Sequence, residues 1–218
     1  MSDIFNYDNK LMQGLDKFFN VCYLSIVWLL ACIPIITIGA ANTALYYTAN
    51  KVLKHNRGYV WKDFWGAFRA NFKQSTIVWL VTLGLALLMC FDTYVMWKFA
   101  AAGYGIGKIY IFFTIVLAFV IMWAVYVFPY IGRFANTTKA IMKNALLLAF
   151  AHLPKTLLVF VMFVGCAVLL YLFGFLIVLL PGLYMWIKSY IMEGIFRKYM
   201  SEEDRESEDE RNLSLIHI

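Results

Sequence analysis

Three charged residues stand where charge is expensive. Asp92 lies inside the apolar run 75–99, and Lys188 and Glu193 lie inside the apolar run 176–197. A charge within a run long enough to cross a bilayer is by default a site for a solute, an ion or a partner charge. Asp92 stands seven residues before Phe99, so it can also reach the interface, with Lys98 and Lys108 as partners. Lys188 can instead snorkel, and Glu193 can pair with Arg197 four residues on. Asn42-Thr43 and Asn136-Thr137 follow Pro34 and Pro129. Side chains of this type accept from free N–H groups and cap helix restarts, or they hold a polar ligand.

Catalytic chemistry is not indicated. HExxH, GxSxG and Walker patterns are missing. The glycines of GYGIG, 103–107, lack the strand and helix that a dinucleotide site requires. His55 and His152 sit in basic segments, and His217 is near the end. Cys22, Cys32, Cys90 and Cys166 all lie in apolar runs without a CxxC pair, as small packing residues do. The reading is a non-enzyme with no metal and no cofactor.

The elements that must position these residues follow from composition. Of 218 residues, 63% are apolar and 15% charged, with mean hydropathy +0.72. An ordinary soluble domain has roughly 45–50% apolar and about 25% charged residues. Too few polar residues remain to cover a water-facing surface. The expected fold is therefore all-α, a polytopic transmembrane bundle forming one domain over 1–200. Five spans fit, at about 18–40, 75–99, 109–131, 156–173 and 176–197, with a tight turn near Phe173-Gly174-Phe175. Four spans are the alternative, the last followed by an interfacial helix after Pro181-Gly182. Pro34, Gly39, Pro129 and Pro181 are the expected helix breaks. The N-terminus lacks a basic region leading straight into an apolar core, so the first span is expected to be its own insertion signal.

Between the spans lie amphipathic stretches. Ala41, Leu45, Ala49 and Val52 share one helical face, and Arg57-Gly58 reads as a stop. Trp61, Phe64, Trp65, Phe68 and Phe72 form a second stripe, with Lys62, Asp63, Arg69 and Lys73 elsewhere. Such a helix lies in the membrane interface or packs against span ends. The segment from Arg133 to Lys155 is basic and helical in pattern, and includes Lys139 and Lys143. The net charge of +6 is thus concentrated in two loops, which the positive-inside rule makes cytoplasmic and leaves the N-terminus outside. These loops face anionic lipid or a partner protein, not nucleic acid. Pro34 with Asn42-Thr43, and Pro129 with Asn136-Thr137, hint at an internal repeat, as do Ala67-Phe68 before Lys73 and Ala149-Phe150 before Lys155. Residues 201–212 read as a solvated, disordered acidic tail. LSLIHI, Leu213 to Ile218, does not continue that composition and matches one reading frame of a transposase-type sequencing adapter. It reads as an artefact, with the natural C-terminus beyond Asn212 missing.

The run IPIITIGAANTALYYTANKVL, followed by GYVWKDFWGAFRANFKQSTIVWLV, resembles the YesL family of bacterial integral membrane proteins, a domain of unknown function numbered 624. The resemblance rests on Pro34, Thr37, Gly39, Ala40, Tyr46 and Tyr47, then on Phe64, Phe68, Asn71, Phe72, Lys73 and Gln74. RFANTTKAIMKNALLLAFAHLPKTLL looks like the family too, so the likeness covers nearly all of the chain except the tail. It implies a bacterial cytoplasmic membrane and an association with carbohydrate uptake, without a defined activity. A carotenoid-oxygenase label carried by some similar proteins does not suit this chain, since that iron site needs four histidines and only three are present. The expected function is an accessory or regulatory partner of a sugar transport system, working through Trp61, Trp65, Arg69, Lys73, Arg133, Lys139 and Lys143. Membrane lipids and transporter components are the expected partners, and a homo-oligomer is compatible. The alternative is a small transporter or channel for a polar solute, built on Asp92, Asn42 and Asn136.

Overall fold

The computed structural model describes residues 10–213, which form helices and turns with no strand. Eight α-helices follow in order: α1 Lys10–Ala31, α2 Ile38–Thr48, α3 Val60–Ala101, α4 Tyr110–Arg133, α5 Thr138–Ala151, α6 Leu153–Leu172, α7 Leu180–Phe196 and α8 Glu202–Leu213. Residues 214–218, most of the suspected adapter, lie outside the described residues.

Four helices are long and apolar enough to cross a membrane: Met12–Ala31 in α1, α3, the stretch Gly105–Arg133 ending in α4, and α6. The chain turns after α6 at Phe173, near the expected place, and continues through a short 3-10 segment, Gly174–Val178, into α7. At 17 residues, with Lys188 and Glu193 inside it, α7 is shorter than the others.

Pro34 breaks the chain as expected. The carbonyls freed there find donors within the protein. Thr37 Oγ1 donates to the carbonyls of Ala31 and Pro34, both at 2.6 Å, and Trp79 Nε1 donates to Ile35 O at 2.7 Å. Trp28 Nε1 donates to Asn42 Oδ1 at 3.1 Å and ties α1 back onto α2. The other expected breaks behave differently. Pro129 lies inside α4, which continues to Arg133. Gly39 lies inside α2 and marks a close approach: a Cβ there would stand 2.5 Å from both Ser75 O and Trp79 Cβ. Pro181 sits in the first turn of α7, where a missing N–H costs nothing.

The expected boundary between an interfacial helix over 60–73 and a span from 75 does not exist. Nothing in that sequence breaks a helix, and α3 runs for 42 residues without interruption, about 63 Å at 1.5 Å per residue. That is roughly twice the ~30 Å hydrocarbon core of a bilayer. Its start is set by Asp63, whose Oδ2 accepts from the Tyr59 N–H at 2.9 Å while Oδ1 accepts from Lys51 Nζ at 2.6 Å. Gly58 takes a left-handed conformation (φ +74°) that strains other residues, and a Cβ there would push against this carboxylate. Asp63→Ala should lower the unfolding midpoint by the equivalent of ~1–2 kcal/mol, the usual loss for a helix cap. Lys51→Ala should change it by less than ~1 kcal/mol, because that ion pair is near the surface. Equal effects of the two variants would show that the ion pair, and not the cap, matters.

The Asn-Thr pairs do not occupy equivalent places. Thr137 caps α5, its Oγ1 accepting from Ala140 N. Thr43 is inside α2, bonded to Gly39 O and to Ser75 Oγ. The acidic stretch expected to be disordered forms α8.

Burial is uneven along the bundle. The largest fully buried side chains include Tyr46, Phe64, Tyr126, Ile141, Met192 and Phe196. They come from α2, α3, α4, α5 and α7 and belong to one core cluster; the end of the bundle that carries Lys51–Lys73 and Arg133–Lys155 is hereafter the basic end. Toward the other end, marked by the 102–109 linker, α3, α4 and α6 expose Leu87, Phe91, Phe112, Val161 and Leu172.

Candidate functional site

The basic end is organised around one buried carboxylate. Glu193 is 3% exposed. Its Oε1 accepts from Tyr46 OH at 2.8 Å and Asn50 Nδ2 at 3.1 Å, and its Oε2 from Arg133 Nε at 3.1 Å. Arg133 also bonds Glu208 of α8 and the Met200 sulfur. A carboxylate out of water is tolerated when its lone pairs are met in this way. An aromatic collar fixes the geometry. Phe196, one turn beyond Glu193, packs edge-on against Tyr46, Tyr130 and Phe134, with centroids 5.5–6.3 Å apart.

This corrects the local pairing expected for Glu193. Arg197 does not serve it, but donates to both carboxylate oxygens of Asp209 in α8, at 2.8 and 2.9 Å. Lys188 does not snorkel either. It is 4% exposed, and its ammonium lies over the Tyr184 ring at 5.5 Å.

Beside the carboxylate lies an open groove of about 1050 Å³. One wall is the first half of α3, with Lys62, Asn71 and Gln74. The other is the α4–α5 corner from Ile131 to Thr137. Gln74 Nε2 joins the walls by donating to Asn136 O at 2.8 Å. The amides of Asn136 and Asn144 both donate to Tyr130 OH. Trp61, Arg69 and Lys73 are exposed on α3, as are Lys139 and Lys143 on α5, while Trp65 is half-buried with an indole N–H that has no partner among the described residues.

The cations here do not share one environment. Lys51 is pushed up by its hydrogen bond to Asp63. Lys54, over the Tyr190 ring, is pulled down by burial. His55 is pulled down by burial and then by Lys54 and Arg57, so it favours its neutral form. Tyr46, Asn50, Lys51, His55, Arg57 and Arg133 surround a smaller cleft that Glu208 enters from α8.

The remaining sequence candidates are dispersed. Asn42 lies against Trp28 in an apolar cavity far from Asn136 in sequence and in a different pocket. Asp92 is half-buried on α3 and makes no hydrogen bond or ion pair among the described residues. Lys98, its expected partner, lies over Tyr94 and Trp97 instead. Tyr46 and Asn50 carry no site signal in the sequence. A buried carboxylate in α7 was the signal that partners must exist, but nothing in local spacing says that they lie 143 and 147 residues away.

Residues 21–93 match the model of a family described as a protein of unknown function, DUF624. The match covers about a third of the chain, from α1 through the Pro34 turn and α2 into α3, and so includes Tyr46, Asn50 and one wall of the groove. It agrees with the expected domain of unknown function and supplies no activity. No curated protein and no solved structure matches the chain.

Proposed function

We propose that the protein is a non-enzymatic, multi-pass protein of a bacterial cytoplasmic membrane that acts through its basic end. That end faces the cytoplasm and holds an acidic segment of a partner, a component of a carbohydrate uptake system. One observation carries the reading: an open groove with Lys62 and Arg133 on its walls lies where the chain already fastens an acidic helix of its own, α8, through Glu208 to Arg133 and Asp209 to Arg197. A surface that binds one acidic helix is chemically suited to another. Its orientation follows from the positive-inside rule, and anionic headgroups reinforce it.

A transporter built on Asp92, Asn42 and Asn136 needs these side chains along one polar path. Their separation supports the accessory reading over that one.

The test is purification from native membranes with and without Lys62→Glu/Arg69→Glu, which reverses the exposed cation of the groove wall and its neighbour on α3. Both residues are exposed, so the reversal leaves the fold intact. The expected result is a co-purifying membrane partner whose recovery falls at least ~10-fold in the reversed variant, while Asp92→Asn leaves it unchanged. A loss of sugar uptake in Asp92→Asn with normal partner recovery would overturn the proposal in favour of transport.

A further inference from the structure

A second cavity, of about 390 Å³, lies within the bundle and takes its walls from α1, α2, α3, α4, α6 and α7. Nearly all of its lining is hydrocarbon or aromatic, with Trp28, Trp79, Val120 and Phe163 among the walls. Four polar side chains break this surface, and two of them are already bonded: Asn42 accepts from Trp28 Nε1 and Thr82 donates to Val78 O. Lys188, 4% exposed, has no hydrogen bond and no carboxylate partner among the described residues. The Tyr184 hydroxyl, in the same lining, has no partner there either. The contrast with Glu193, five residues along the same helix, is informative. That carboxylate is met by three donors, whereas the ammonium one and a half turns away is met only by the Tyr184 ring.

A cation enclosed by apolar walls is costly unless an anion joins it. A carboxylate or phosphate oxygen beside Lys188 and Tyr184 would accept from both. Apart from Asn42 and Thr82, the rest of the cavity is hydrocarbon or aromatic and suits an alkyl chain. Its volume is at the lower end of the roughly 300–1,000 Å³ usual for small-molecule sites. We propose that this cavity binds an amphiphile with one anionic head, which pairs with Lys188 and Tyr184, and an apolar tail held among Trp79, Val120 and Phe163. The site is separate from the basic groove and does not depend on the reading given to that groove.

The probe is cis-parinaric acid, titrated into the full chain in phosphatidylcholine nanodiscs and read by energy transfer from tryptophan. Saturable binding is expected, with the methyl ester at least ~10-fold weaker because it lacks the charge. Lys188→Met should weaken the acid by a similar factor and leave the ester unchanged. The acid–ester comparison uses the unaltered protein, so it stands even if the variant folds poorly. Equal affinity for acid and ester, or no saturable binding of either, overturns the proposal. Repeating the titration with phosphatidylglycerol in the nanodisc separates two sources of the same head chemistry. Displacement of the probe assigns the anion to a phospholipid, and its retention to a free long-chain acid.

Discussion

Arg133→Met is expected to destabilise the protein by about 3–5 kcal/mol, the loss typical when one partner of a buried ion pair is removed. The reason is the carboxylate left behind. Glu193 would keep Tyr46 and Asn50 but lose its cation while remaining 3% exposed. Glu193→Gln in the same background keeps an oxygen for both donors and removes the uncompensated charge. The double variant should therefore recover most of the loss, because a buried pair replaced as a whole is often near neutral. Chemical unfolding of the four proteins in one detergent, read as a double-mutant cycle, checks this. Additive losses would mean that Arg133 and Glu193 are not coupled. Arg133→Met also releases Glu208, so proteolysis within α8 should accelerate in the same variant.

Gly39→Ala is the second large effect. The added carbon would meet Ser75 O and Trp79 Cβ at 2.5 Å, and neither atom can swing aside as a flexible side-chain tip would. Helix α2 would have to retreat from α3, opening the contact that buries Thr43 against Ser75. Overpacking typically costs ~1–3 kcal/mol, and a clash against backbone belongs at or above the upper end. Gly66→Ala is the control. That glycine is exposed on α3 with nothing near its missing Cβ. There alanine should be neutral or stabilising by up to ~1 kcal/mol, through helix propensity alone. The measurement is the yield of monodisperse protein and its unfolding midpoint, and similar behaviour of the two variants would refute the close-approach argument.

The helical class and most of the apolar helices were legible because they rest on composition and local periodicity. The turn at Phe173 and the break at Pro34 were legible for the same reason. What failed was whatever depended on the third dimension. Gly39 looked like a break, since a sequence does not tell a glycine needed for freedom from one needed for thinness. Residues 60–73 looked like a separate element because their polarity changes at Lys73, yet polarity change does not stop a helix. Glu193 was given its nearest cation, Arg197, when its partners come from α2 and α4. Asp92 stands out by position alone, and the described structure gives it no partner. The acidic stretch after Ser201 looked disordered because it has no apolar face; what orders it is charge on Arg133 and Arg197, which a hydrophobic pattern does not register.

The unbroken length of α3 has a mechanical meaning. Proline, a π-turn or a glycine–serine pair would have made a hinge where the groove wall meets the apolar half, and α3 has none there. The wall that carries Lys62 and the segment that carries Asp92 are one rod. A load that tilts the rod at the groove is carried along one helix toward the opposite end of the bundle, with no hinge between them.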